Sequence, residues 1–209
     1  MERMITPTDG VTYDDETLRI TAELIRRHAD RLATADGRRG VLLEIIRRGV
    51  ARNFGGAARS LAWRSSTALA ASLPALDEAD QRRILAALAK SEARFIDRMA
   101  DFYRIVMSIL GLREKAGVEL KTVVAAVSSV IDGLIWRSMT NPVIAETALV
   151  KPDLDGEPAS WGLPAVTFLA IFDSMVEPDP EFSPAGPRLD AALSELAHVW
   201  DEGSPRHDR

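Results

Sequence analysis

Apolar positions recur along this chain at helical spacing, in stripes separated by short polar or glycine-containing breaks. Residues 14–34 place Leu18, Leu24, Ile25 and Leu32 behind the acidic start Asp14-Asp15-Glu16, which suits the positive end of a helix. Asp36-Gly37 predicts a break. A second helix is expected over 38–53, with Val41, Leu42, Ile45, Ile46 and Val50 on one face, and Gly55-Gly56 as punctuation after it. A third, over 57–72, carries Leu61, Ala68 and Leu69 and stops at Pro74.

The strongest patterns come next. Asp77 is a good N-cap, and from 77 to 111 Ile84, Leu88, Phe95, Met99, Phe102, Val106 and Ile109 fit a helical period. Such a helix is about 50 Å long and predicts the spine of the domain. Over 118–140 one stripe runs Leu120, Val123, Val124, Val127, Ile131, Leu134 and Ile135, flanked by Ala125, Ala126, Ser128, Ser129 and Gly133. Asn141-Pro142 closes it. Residues 143–161 predict an irregular loop, and no strand pattern stands out. The segment 163–176 is apolar on nearly every side, which predicts burial all round, with a partner subunit covering the second face. Four prolines from Pro178 to Pro187 predict a linker to an amphipathic helix at 188–200. The expected fold is all-α, a bundle of about seven helices over 14–200, with 1–13 disordered or vestigial and 201–209 a disordered tail.

Composition narrows the chemistry. Of 209 residues, 46% are hydrophobic and 27% charged, an ordinary globular balance. There is no cysteine, which excludes disulfides and thiolate chemistry. His28, His198 and His207 are too dispersed for a helical metal pair, so no metal and no cofactor is expected. The first fifteen residues hold no long apolar run, and no stretch of about 20 apolar residues occurs, so neither a signal peptide nor a membrane span is expected and the default compartment is the cytoplasm. Charge is uneven. Residues 1–65 hold twelve Arg against nine acids (roughly +3), and residues 145–209 hold four bases against thirteen acids (roughly −9). Arg26, Arg27, Arg38, Arg39, Arg47 and Arg48 sit at spacings that predict a solvated helix face.

The helix order resembles the C-terminal half of TetR-type transcriptional regulators over about residues 14–177. The closest local match is Gly117-Val118-Glu119-Leu120 leading into a helix with Asp132-Gly133-Leu134, then Asn141-Pro142. The resemblance implies that 77–111 lines an apolar effector pocket and that 118–140 and 163–176 pair with their copies in a homodimer. It implies Trp63, Phe95, Met99, Phe102, Tyr103, Met107 and Trp136 as pocket residues for a small apolar or amphipathic effector. It implies Val127, Ile131, Leu134, Phe168, Ile171, Phe172 and Met175 at the dimer interface. The family's N-terminal helix-turn-helix is not recognisable: Tyr13-Asp14-Asp15-Glu16-Thr17-Leu18 matches only its final step, without the usual Lys and second aromatic. DNA binding is therefore left open.

Catalysis is not expected. Ser128, Ser129 and Asp132 have no histidine nearby in sequence and no nucleophile elbow around them, which favours a packing surface. The alternatives to a ligand-responsive regulator are a small-molecule-binding helical protein and a heterodimerising partner without a DNA-binding role.

Overall fold

Two facing helices and a long spine organise the chain, and the sequence explains each end. The computed structural model describes residues 15–184 together with 191, 192 and 194. The expected segments 1–13 and 201–209 lie outside the described residues. So does most of the expected helix 188–200, of which Ala191, Ala192 and Ser194 are described, all helical.

The spine is α4, Glu78–Leu110. The Asp77 carboxylate accepts from the Asp80 amide at its start, and Gly111 closes it in the left-handed region at φ 64°. A left-handed residue satisfies the last carbonyls without the penalty a Cβ brings. Then come α5, Leu120–Thr140, and α7, Leu163–Met175. These three elements follow the expected boundaries closely. Earlier in the chain lie α1 (Asp15–Arg27), a 3-10 turn (Ala29–Ala33), α2 (Ala35–Arg59) and α3 (Leu61–Ser72). The protein is all-helical in character, with seven α-helices among the described residues, counting the single-turn α6 at Val143–Glu146.

Three expectations need correction. The helix drawn over 14–34 stops at Arg27, and a 3-10 turn follows. The second helix is longer than expected, because Gly37, Gly55 and Gly56 lie within α2 rather than ending it. The Thr34 hydroxyl caps it, accepting from the Gly37 amide at 3.1 Å. An interior glycine costs about 1 kcal/mol against alanine. One buried Ile, Val or Phe side chain returns about 1.5–3 kcal/mol, and α2 buries Val41, Leu42, Ile45, Ile46, Val50 and Phe54. Burial wins. The third correction is that 143–161 is not an irregular loop. It holds α6 and a hairpin of β2 (Ala148–Pro152) and β3 (Pro158–Gly162), in antiparallel register from Ala148↔Gly162 to Pro152↔Pro158. Its turn is held by the Asp153 carboxylate, which accepts from the Asp155 and Glu157 amides, and by Gly156 at φ 85°. Trp161 anchors the hairpin at 1% exposure. A second short pair, β1 (Leu112–Glu114) with β4 (Val176–Pro178), ties the exit of α4 to the exit of α7.

The core runs between α2, α4, α5 and α7. Their long-range packing is dominated by α1 on α2, α2 on α7, α5 on α7 and α4 on α5. The charge asymmetry of the sequence is answered inside this arrangement. Arg39 grips Asp173 of α7 through two bonds of 2.7 and 2.6 Å, Arg31 pairs with Asp155 of the hairpin, and Arg113 pairs with Glu177. The solvated-face expectation holds for Arg26, Arg27, Arg39 and Arg48, which are exposed, while Arg38 and Arg47 are half-buried.

One described helix, α5, is long and apolar enough to cross a membrane by length and composition, with mean hydropathy 1.3. Its apolar face of Val123, Val124, Val127, Ile131 and Ile135 is buried in the bundle, where it packs on α4 and α7.

Candidate effector cavities

Two small cavities lie along α4, the first between α1, α2, α4 and α7 and the second between α2, α4, α5 and α7. One, about 40 Å³, is lined by residues that include Thr21, Ile46, Gly49, Phe102, Met107 and Phe172. The other, about 30 Å³, is lined by residues that include Asn53, Phe95, Met99, Val127, Ser128 and Asp132. Val50, Tyr103 and Phe168 line both, so they form the wall between them. Tyr103 is held in that wall by edge-on contacts to Phe168 and Phe172, with ring centroids 6.2 and 6.5 Å apart. Edge-to-face pairs of this kind are favourable beyond the area they bury.

Of the expected pocket residues, Phe95, Met99 and Tyr103 meet in the second cavity and Phe102, Tyr103 and Met107 in the first. Trp63 stands behind the second, where its indole Nε1 donates to Asp132 Oδ1 at 2.9 Å. Trp136 is a correction. It is 52% exposed, on the outward side of α5 with Met139, and lines neither cavity. The expected interface also needs correction. Val127, Ile131, Phe168 and Phe172 are each at most 6% exposed within the single chain. The packing of α7 on α2 and α5 covers them without a partner. Leu134, Ile171 and Met175 are half-buried and keep free surface.

The polar residues of the second cavity, Ser128 and Asp132, stand where the sequence predicts a helix-packing surface. Ser128 and Asp132 are four residues apart, so they share one edge of the α5 stripe. That spacing was the available signal, and it places both on the second cavity. The Ser128 hydroxyl donates to the Val124 carbonyl at 2.7 Å. Burial raises the Asp132 carboxyl above the ordinary carboxylate value, opposed by the bond from Trp63. Glu92 of α4 is raised as well, by burial first and then by the negative charge of Asp132.

A third, larger recess of about 370 Å³ lies at the end of the bundle, beside Arg38, Arg39, Lys115, Asp173 and Glu177. Its charged side chains already have partners. Arg39 holds Asp173, Arg113 holds Glu177, and the Lys115 ammonium donates to the Asp173 and Ser174 carbonyls at the end of α7. Among the described residues no group of three metal-ligating side chains is assembled. No family model, curated protein or solved structure matches the chain.

Proposed function

We propose that the described residues form the effector-binding and dimerisation part of a TetR-type, ligand-responsive transcriptional regulator. The observation that carries this is the wall of Val50, Tyr103 and Phe168, which separates two apolar cavities against a 33-residue spine. Ligand pockets are mostly apolar with a few placed polar groups, and the second cavity offers Asn53, Ser128 and Asp132. Each cavity alone has room for about one water. An effector would occupy both by turning Tyr103 aside, and it would favour whichever helix arrangement leaves the joined space open.

Dimerisation is assigned to the outward sides of α5 and α7. On α5, Thr122, Ser129, Gly133, Trp136 and Thr140 are exposed, and on α7 Ala170 and Ser174 are exposed. A Cβ added at Gly133 meets nothing within 4 Å, so a neighbouring helix has room to approach closely there.

The described residues up to Arg59 are a 13-residue helix, a 3-10 turn and a 25-residue helix whose apolar face is core. No DNA-reading head is assigned among them. The test of effector binding is a thermal-shift screen of small amphipathic compounds on the wild type and on Val50→Phe, which fills the shared wall. Compounds that raise the wild-type midpoint and not that of the variant support the assignment. Compounds that raise both equally oppose it.

A further inference from the structure

The recess at the end of the bundle, about 370 Å³, is large enough as it stands to seat a small molecule. Leu42, Leu110, Leu112, Phe172 and Val176 give it an apolar lining, and five charged side chains share that lining. Both carboxylates are matched by a guanidinium: Asp173 by Arg39 through two bonds, and Glu177 by Arg113. Two of the cations are not matched by a carboxylate. Arg38 donates from Nη1 to the Leu32 carbonyl at 3.0 Å, and its guanidinium lies 4.7 Å from the centre of the Phe182 ring. Lys115 donates from Nζ to the Asp173 and Ser174 carbonyls at 2.8 and 3.1 Å. These partners are uncharged, and among the described residues neither cation forms an ion pair. A guanidinium carries five N–H donors and an ammonium three, so both keep donors to give. Both side chains are half-buried and already held by the bonds they make, so an anion meets them with less ordering left to do.

We propose that this recess binds a small amphipathic carboxylate, with the anionic group drawn to Arg38 and Lys115 and the apolar body against Leu42 and Phe172. The matching ammonium compound would find no carboxylate that an arginine does not already hold. The site is separate from the effector cavities along α4 and does not rest on that assignment, although Leu42 and Phe172 also line the first of them.

The experiment is calorimetric titration of the full chain at neutral pH with three compounds of one shape: 4-phenylbutanoate, 4-phenylbutanol and 4-phenylbutylammonium. The carboxylate is expected to bind roughly fivefold more tightly than the alcohol, and the ammonium compound more weakly than either. Arg38→Gln and Lys115→Gln are each expected to lower the carboxylate affinity severalfold and to leave the alcohol unchanged, while Lys115→Arg keeps the charge and the affinity. Ala35 lines the recess from the exposed start of α2, so Ala35→Phe fills the space without touching either cation and is expected to weaken all three compounds. That variant keeps the test open should a charge variant fail to fold. Val50 lines both cavities along α4 and not the recess, so Val50→Phe is expected to bind the carboxylate as the wild type does. Carboxylate binding that survives Ala35→Phe and is lost in Val50→Phe would move the ligand to the α4 cavities and overturn the recess as its site. Equal or tighter binding of the alcohol or the ammonium compound would overturn the charge assignment, as would unchanged carboxylate affinity in both glutamine variants. Absence of carboxylate binding would overturn the proposal and leave the α4 cavities untouched.

Discussion

The indole of Trp63 on α3 and the carboxylate of Asp132 on α5 are joined by a hydrogen bond of 2.9 Å across 69 residues of sequence. Trp63 is buried at 5% exposure, so its N–H has no ready substitute in water. This bond fixes the short α3 against the end of the bundle that carries the polar cavity. Trp63→Phe keeps most of the ring and removes the donor. It is expected to destabilise the protein by about 1–3 kcal/mol, measured by urea unfolding at neutral pH. A change within about 0.3 kcal/mol would show that the bond contributes nothing net.

Asp132 and Glu92 set a pH dependence with a definite sign. Both carboxyls are raised in the folded protein, so the folded state holds their protons more tightly than the unfolded state. The stability they contribute is present below the ordinary carboxylate range and is lost as pH rises through their raised folded values. Asp132→Asn removes the Asp132 share of this slope. It is expected to raise stability at neutral pH by less than about 1 kcal/mol, since Asp132 keeps contact with solvent. Urea midpoints taken across the acidic range check it. A variant that loses more stability as pH rises than the wild type does would contradict the assignment.

Two glycines have opposite expected responses to alanine. Gly111 has φ 64°, and a Cβ there would lie 2.6 Å from the Phe182 ring. Gly111→Ala is therefore expected to cost at least about 1–2 kcal/mol. Gly49 lies in α2 on the first cavity, and its Cβ would meet Thr17 Cγ2 at an ordinary 3.9 Å. Gly49→Ala is expected to stabilise by up to about 1 kcal/mol. Thermal midpoints of the two variants moving in the same direction would refute this contrast.

Phe168 separates a core role from an interface role. Its ring stacks on Phe172 with centroids 6.0 Å apart and stands edge-on to Tyr103 within one chain. Phe168→Ala is expected to cost about 3–5 kcal/mol. The loss relative to wild type should be the same at low and high protein concentration. A loss that vanishes on dilution would return Phe168 to the interface.

The sequence made α4, α5 and α7 legible because long apolar stripes, a capping Asp77 and a closing Gly111 all agree. It misplaced the ends of α2 because glycine is locally a breaker, while the burial of Ile45, Ile46, Val50 and Phe54 outweighs the local cost. The hairpin escaped notice because its strands are five residues each, with prolines at Pro152 and Pro158. The apolar character of α7 was legible, but a sequence does not say whose surface covers an apolar face. Here α2 and α5 of the same chain cover Phe168 and Phe172. Tyr103, Met99 and Phe95 were found by size and spacing. Asp132 reads from the sequence as part of a packing surface, because nothing local announces that α3 brings the Trp63 indole to its carboxylate.

The proposed assembly meets its most direct test in the light-scattering mass of the full chain at micromolar concentration, after size-exclusion chromatography. The mass expected is twice the chain mass of 22.9 kDa, because the open sides of α5 and α7 pair with a second copy. A single-chain mass would contradict the dimer, and with it the regulator proposed here.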